Sequence, residues 1–180
     1  MNRNIANMRK MELKLLIIEY NKASLLDRSF AKTELSSTKK IEFRKKLLEY
    51  CIFLMEKIDN ETLENSDIRE KIRELTRIDV NNISFGQAQK VVNVTLKQYC
   101  FIMNKENLFK KLDCPLDTIT MKDNKISHKK MIDVTEEDYL KYQDIFYEQF
   151  NGTRILKDWD YDEQRIHNFL NPEPNARQFD

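Results

Sequence analysis

Glycine is nearly missing from this 180-residue chain: Gly86 and Gly152 are the only two, beside three prolines. A sheet protein of this size needs many tight turns, and those turns draw on glycine, so the shortage argues for helices. No apolar run reaches the ~20 residues that a membrane-spanning helix needs. Leu15-Leu16-Ile17-Ile18 near the start is interrupted by Glu12, Lys14 and Glu19, with no clear small-residue cleavage site after it, which argues against a signal peptide. The three cysteines, Cys51, Cys100 and Cys114, are odd in number and lack paired short spacing. That fits a reduced, cytoplasmic protein and argues against a disulfide framework or a zinc site. Only two histidines are present, His128 and His167. Arg165-Ile-His167 is too tightly spaced for the Arg-x4–6-His motif of helical ribonucleases, and no glycine elbow surrounds any serine or cysteine for a triad. A P-loop, a dinucleotide fingerprint and a metal-ligand cluster are all missing, so neither metal nor cofactor is expected.

What the chain has in quantity is charge, 34% of residues, against 41% hydrophobic, the balance of amphipathic helices around one core. The net charge of +1 is unevenly spread. Residues 83–134 carry nine basic and five acidic side chains, whereas 135–180 carry five basic and eleven acidic. The middle is a modest basic block and the end an acidic one.

Periodicity predicts six to eight helices in one all-α domain over 1–170, with 171–180 as a loose tail. Met8, Met11, Leu15 and Ile18 mark a first helix. Thr38 can cap a second, with Ile41, Leu48, Cys51, Met55 and Ile58 as its apolar edge. Asn65 or Ser66 opens a third with Ile68, Ile72, Leu75 and Ile78 inside and Arg69, Glu70, Lys71, Arg73 and Glu74 outside. These three read as scaffold. Thr135 with Asp138 is a capping box for a helix carrying Tyr139, Tyr142, Phe146 and Phe150, closed by Asn151-Gly152. Asp160 with Glu163 opens a last helix stopped at Asn171-Pro172.

The most informative stretch is Ile83-Ser-Phe-Gly-Gln-Ala-Gln-Lys-Val-Val-Asn-Val-Thr-Leu-Lys97, echoed by Leu112-Asp-Cys-Pro-Leu-Asp-Thr-Ile119. Ser84 and Gln87 form a second capping box. Gly86 beside the first-turn amides would make a positively polarised surface suited to a phosphate. Lys90, Asn93 and Lys97 recur at helical spacing as a polar stripe, with Val91, Val92, Tyr99 and Ile102 as the apolar side.

Gly86-Gln-Ala88-Gln-Lys90-Val-Val followed by Pro115-Leu-Asp117-Thr-Ile119 resembles the signature of helix-hairpin-helix DNA glycosylases, especially the oxoguanine glycosylase/lyase branch. The likeness covers about 40 residues. It implies a central hairpin between helix three and the Ser84 helix. Lys90 matches the family's lysine nucleophile and Asp117 its aspartate. Gly86 and Ala88 match the hairpin positions that approach a DNA phosphate, although the family carries a second glycine where Ala88 stands. The DNA-contacting set would comprise Ser84, Gly86, Gln87, Ala88, Gln89, Asn93 and Lys97. An amine attacking the sugar must be neutral, a nearby carboxylate steadies the positive charge on the sugar as the base leaves, and the flipped nucleotide needs an apolar or aromatic pocket. Tyr99, Tyr139, Tyr142, Phe146 or Trp159 could wall that pocket.

Two function classes remain open. One is a DNA-binding protein acting as a base-excision glycosylase/lyase, its catalytic residues Lys90 and Asp117. The other is a non-catalytic helical module, an accessory or inhibitory subunit meeting a basic protein partner through its acidic C-terminal part. Each residue also has a plain structural role open to it: Lys90 as a solvated helical lysine, Asp117 as an N-cap, the cysteines and aromatics as core.

Overall fold

Among the described residues, five α-helices make up the larger part: α1 (Asn2–Asn21), α2 (Ser37–Asp59), α3 (Asn65–Thr76), α4 (Phe85–Ile102) and α5 (Glu136–Gln149). A π-helical turn follows α1 at Lys22–Asp27, and 3-10 segments lie at Glu106–Lys111 and Met131–Asp133. The computed structural model describes residues 2–27, 30, 34–121 and 130–158, and among them there is no strand. The expected all-α architecture is therefore present. The helix anticipated from Asp160, the 171–180 tail, Trp159 and Lys122, Lys125 and Lys129 lie outside the described residues.

The helix α4 is the axis of the domain. The other four helices and the three short segments all pack against it. The sequence suggests a helix with one apolar and one solvated polar face, and the structure corrects this. Gln87, Gln89, Asn93, Thr95 and Lys97 on the polar side are as enclosed as Val91, Val92 and Tyr99 on the apolar side. Ile102, assigned to the apolar side, is half exposed. Ringed by neighbours, the helix keeps Lys90 half exposed and opens to solvent in its last turn, while most of its other polar groups are partnered inside.

Capping explains where the helices start. In α4 the Ser84 hydroxyl accepts from Gln87 N at 3.2 Å and Gln87 Oε1 accepts from Ser84 N at 2.9 Å. In α5 Thr135 and Asp138 reciprocate in the same way, at 3.2 and 3.1 Å. Helix α2 is capped by Ser36, two residues before the expected Thr38, through its hydroxyl and Lys39 N. Helix α3 is preceded by Glu64, whose N–H donates to Asp67.

A chain short of glycine still has to stop its helices. Here Glu61, Asn104 and Asn151 adopt positive φ of 59°, 53° and 48° just past α2, α4 and α5. In each case the next residue's N–H turns back to the helix: Thr62 to Lys57 O, Lys105 to Cys100 O, and Gly152 to Tyr147 O. This is the left-handed helix stop that glycine ordinarily supplies.

The buried edges of α2 and α3 (Cys51, Met55 and Ile58; Ile68, Ile72 and Leu75) follow the expected pattern, joined by Phe43, Leu47 and Leu54. Phe30 is buried and meets Phe43 edge-on at 5.1 Å in the core. Ile41 is exposed. Helix α1 is rotated from expectation. Lys14, Ile17, Ile18 and Asn21 face inward, while Met8, Met11, Leu15 and Leu16 face out. The cause is Asp59, the last residue of α2, which takes Lys10 at 2.8 Å, Lys14 at 2.9 Å and the Tyr99 hydroxyl at 2.8 Å. A carboxylate at a helix C-terminus opposes the dipole, and two ammonium groups offset that.

Candidate functional site

One polar group of α4, Gln89, meets a strap, Leu112 to Leu116, every residue of which is buried. Two glutamine amides hold it. Gln89 Nε2 donates to Leu116 O at 2.7 Å and its Oε1 accepts from Leu116 N at 3.0 Å. From α5, Gln143 does the same to Cys114, both bonds at 2.8 Å. Pro115 lies between, with no N–H to satisfy. The side chains thus supply the pairing that a neighbouring strand would give, and a buried backbone needs such pairing.

The strap presents Asp113 at one end and Asp117 at the other. Asp117 Oδ1 accepts the N–H groups of Ile119 and Thr120, both at 2.8 Å, and Thr120 Oγ1 accepts the Asp117 N–H at 2.8 Å. Asp117 was expected as a helix N-cap; it closes a turn over 118–121 instead. Its Oδ2 lies 2.9 Å from Lys90 Nζ, each side chain 21% exposed. Burial alone would raise the Asp117 carboxyl; the Lys90 charge and the bonds from Thr120, Lys90 and Ile119 outweigh it and hold the group below the usual carboxylate range. Two groups 27 residues apart in sequence therefore meet in one half-buried pair.

The rest of the anticipated DNA-contacting set lies inside the domain. Gly86 is buried, and a Cβ there would stand 1.7 Å from the Met131 carbonyl oxygen, so the 131–134 segment rests on the glycine where a phosphate was expected to approach. Gln87, Ala88, Gln89 and Asn93 are no more than 2% exposed and Lys97 is 8% exposed. Asn93 donates to the Tyr139 hydroxyl at 2.9 Å, and Lys97 is paired with Asp158. Ser84 alone of this set borders open space, beside Phe85, Ile83, Val80, Ile132 and Thr135 in a cavity of about 340 Å³. Tyr99, Tyr139, Tyr142 and Phe146 are fully buried.

Sequence reasoning missed the centre at Asp113. Its side chain is fully buried and accepts from Arg69 Nε at 2.8 Å, Arg69 Nη2 at 3.0 Å, the Tyr139 hydroxyl at 2.9 Å and Asn65 Nδ2 at 3.2 Å. Arg154 stands 3.7 Å away on the other side. Burial, then the Asp113 charge, pushes the Tyr139 phenol well up, so it stays a neutral donor. Arg69 had looked like part of a solvated, alternating-charge face. The available signal was the strap itself, an Asp–Cys–Pro–Leu–Asp run in which two carboxylates flank three apolar residues.

The three cysteines are buried and unpaired by disulfide, and burial pushes the thiols of Cys51 and Cys100 up to about 12. Such thiols are packing groups, not nucleophiles. No helix among the described residues is long and apolar enough to cross a membrane. Comparison with known proteins returns no matching family model, no matching curated protein and no matching solved structure.

Proposed function

We propose that this chain is a DNA-binding helical protein of the helix-hairpin-helix glycosylase/lyase kind, with Lys90 and Asp117 as its reactive pair. The observation that carries the reading is their 2.9 Å approach at a half-open position, from the two segments that the sequence resemblance pairs. Helices α3 and α4, joined through residues 77–84, would be the helices of the hairpin. In this reading Lys90 gives its proton to water and its amine bonds to C1′ of a nucleotide as the C1′–base bond breaks, the base leaving with a proton from solvent. The C1′–O4′ bond then opens to a Schiff base, O4′ taking the amine's proton. Asp117 would stabilise the positive charge that develops on the sugar. The closed ion pair is the resting form, and attack requires the substrate to part it. Lys90 remains tethered to α4 and Asp117 to the Thr120 turn, so separation needs only a change of side-chain rotamer.

The second reading, a non-catalytic interaction module, is favoured by a different observation: Gly86, Gln87, Ala88, Gln89, Asn93 and Lys97 are occupied inside the fold. Residues that hold a scaffold together serve a binding module equally well.

Borohydride trapping separates the two. Protein incubated with abasic-site DNA and sodium borohydride is expected to give a covalent adduct on denaturing gels, lost in Lys90→Gln and sharply reduced in Asp117→Asn. Absence of an adduct, with no DNA retention at low salt, leaves the module reading. Co-purification from the native host would then identify its partner.

A further inference from the structure

A cavity of about 580 Å³, which includes neither Lys90 nor Asp117 in its lining, opens between the start of α3, the Glu106–Lys111 turn and the end of α5. Asn65, Lys110, Lys111, Tyr147, Gly152 and Arg154 line it together with Asn151 and one carboxylate, Glu148. Its volume falls within the ~300–1,000 Å³ of small-molecule sites.

Arg154 is the buried cation of this cavity. Its side chain is 11% exposed, and its nearest carboxylate, Asp113, is already bonded by both arms of Arg69. At 3.7 Å the Arg154–Asp113 approach is too long for a hydrogen bond. The Arg154 Nε donates to Gln143 O at 3.1 Å, and the guanidinium stacks on the Tyr147 ring at 4.6 Å. Its two terminal nitrogens have no hydrogen-bond partner among the described residues. Asp113 is shared by two guanidiniums and Arg69 holds both of its oxygens, so the terminal nitrogens of the largely buried Arg154 are left to meet an anion, with Glu148 the one carboxylate on the cavity wall. On the rim, Lys111 is taken by Glu64 at 2.7 Å, whereas Lys110 is exposed with no ion pair among the described residues.

We infer that this cavity binds a phosphate-bearing ligand of nucleotide size, its phosphate between Lys110 and the terminal nitrogens of Arg154. Arginine presents a planar fork that matches phosphate oxygens, and a lysine adds a point charge. Tyr147, half exposed, offers its edge and the stacked guanidinium offers its plane to an aromatic base. At Gly152, φ +88°, an added Cβ would stand 3.4 Å from the Tyr147 ring, so the glycine lies beside that ring. The site shares no residue with the Lys90–Asp117 pair and stands whether or not that pair is catalytic.

Calorimetric titration of the full chain with inorganic phosphate, a 5′-mononucleotide, and a short single strand with or without a 5′-phosphate tests it and identifies the source of the phosphate. Saturable binding of at least one phosphate-bearing probe is expected, with the unphosphorylated strand weaker than its phosphorylated counterpart. Arg154→Gln should abolish binding. Because that substitution also removes the bond to Gln143 O, Lys110→Glu is the companion: it touches no packed group and should weaken binding at least about tenfold, the loss of one charge-assisted hydrogen bond. Tyr147→Leu should weaken the mononucleotide more than inorganic phosphate, and Lys90→Gln should leave all affinities unchanged. Failure of every probe to bind, or wild-type affinity in both charge variants, would overturn the inference.

Discussion

Asp113 and Arg69 form a two-armed ion pair at 2.8 and 3.0 Å, although the carboxylate has no exposed surface at all. It ties α3 to the strap, and the Tyr139 hydroxyl adds α5 to the same oxygen. The two glutamine clamps satisfy the backbone groups of Cys114 and Leu116 in this interior, and Asp113 is where the strap's charge is answered.

Removing that charge should be the most damaging single change in the polar interior. Asp113→Ala strands two largely buried guanidiniums and the Tyr139 donor, a loss of ~3–5 kcal/mol by comparison with other broken buried pairs. Urea unfolding followed by circular dichroism measures it. A loss under ~1 kcal/mol would mean that Arg69 and Arg154 reach water and that the site is not closed.

Gly86→Ala should be destabilising despite alanine's better helix propensity. The added methyl group would meet the Met131 carbonyl at 1.7 Å, and backbone cannot rotate aside as a side-chain tip can. Displacing residues 131–134 is expected to cost ~2 kcal/mol or more, against a propensity gain of ~1. A raised melting temperature in this variant would show that the segment does not rest on α4.

Helix termination through left-handed residues leaves room for improvement. At Asn104, φ 53°, glycine fits without a Cβ penalty, and Asn104→Gly should hold or raise stability by about 0.5 kcal/mol. Asn104→Val should lower it by ~1–2 kcal/mol, because a β-branched side chain is strained at positive φ. Thermal melts of the two variants should shift apart; coincident melts would remove the argument.

Acid should weaken the fold through three aspartates. Burial alone would raise Asp59, Asp67 and Asp117. Lys10, Lys14 and Tyr99 reverse this at Asp59, as do Lys57 and the Glu64 amide at Asp67, and Lys90 with backbone amides at Asp117. Each folded carboxyl therefore binds its proton less readily than in the unfolded chain. The resulting stabilisation is fully present above the unfolded value of about 3.9 and is lost as pH falls through the lower folded values. Urea midpoints should be level from pH 7 to 5 and fall below about pH 4. In Asp117→Asn that fall should be shallower. Equal midpoints at pH 5 and 2.5 would contradict the lowered values.

The legible parts of this protein were the local ones. Scarce glycine pointed to helices. The Ser84–Gln87 and Thr135–Asp138 boxes marked two helix starts, and Asn151-Gly152 marked an end, because these bonds span three or four residues and depend on nothing distant. The interior edges of α2 and α3 followed from spacing for the same reason. At the candidate site, spacing along one helix could place Lys90 beside Asn93 and Lys97, yet it could not tell water from protein beyond them.

Tertiary structure decided that question and turned a presumed solvent face into the inside of the domain. Which way α1 faces depended on Asp59, some 45 residues from Lys14, and whether Arg69 was solvated depended on Asp113, 44 residues away. Periodicity records how strongly a face prefers to leave water; it does not record which polar groups have partners waiting. A lysine, glutamine or arginine is buried or exposed according to a carboxylate or carbonyl supplied by another segment, and only the folded arrangement brings the two together.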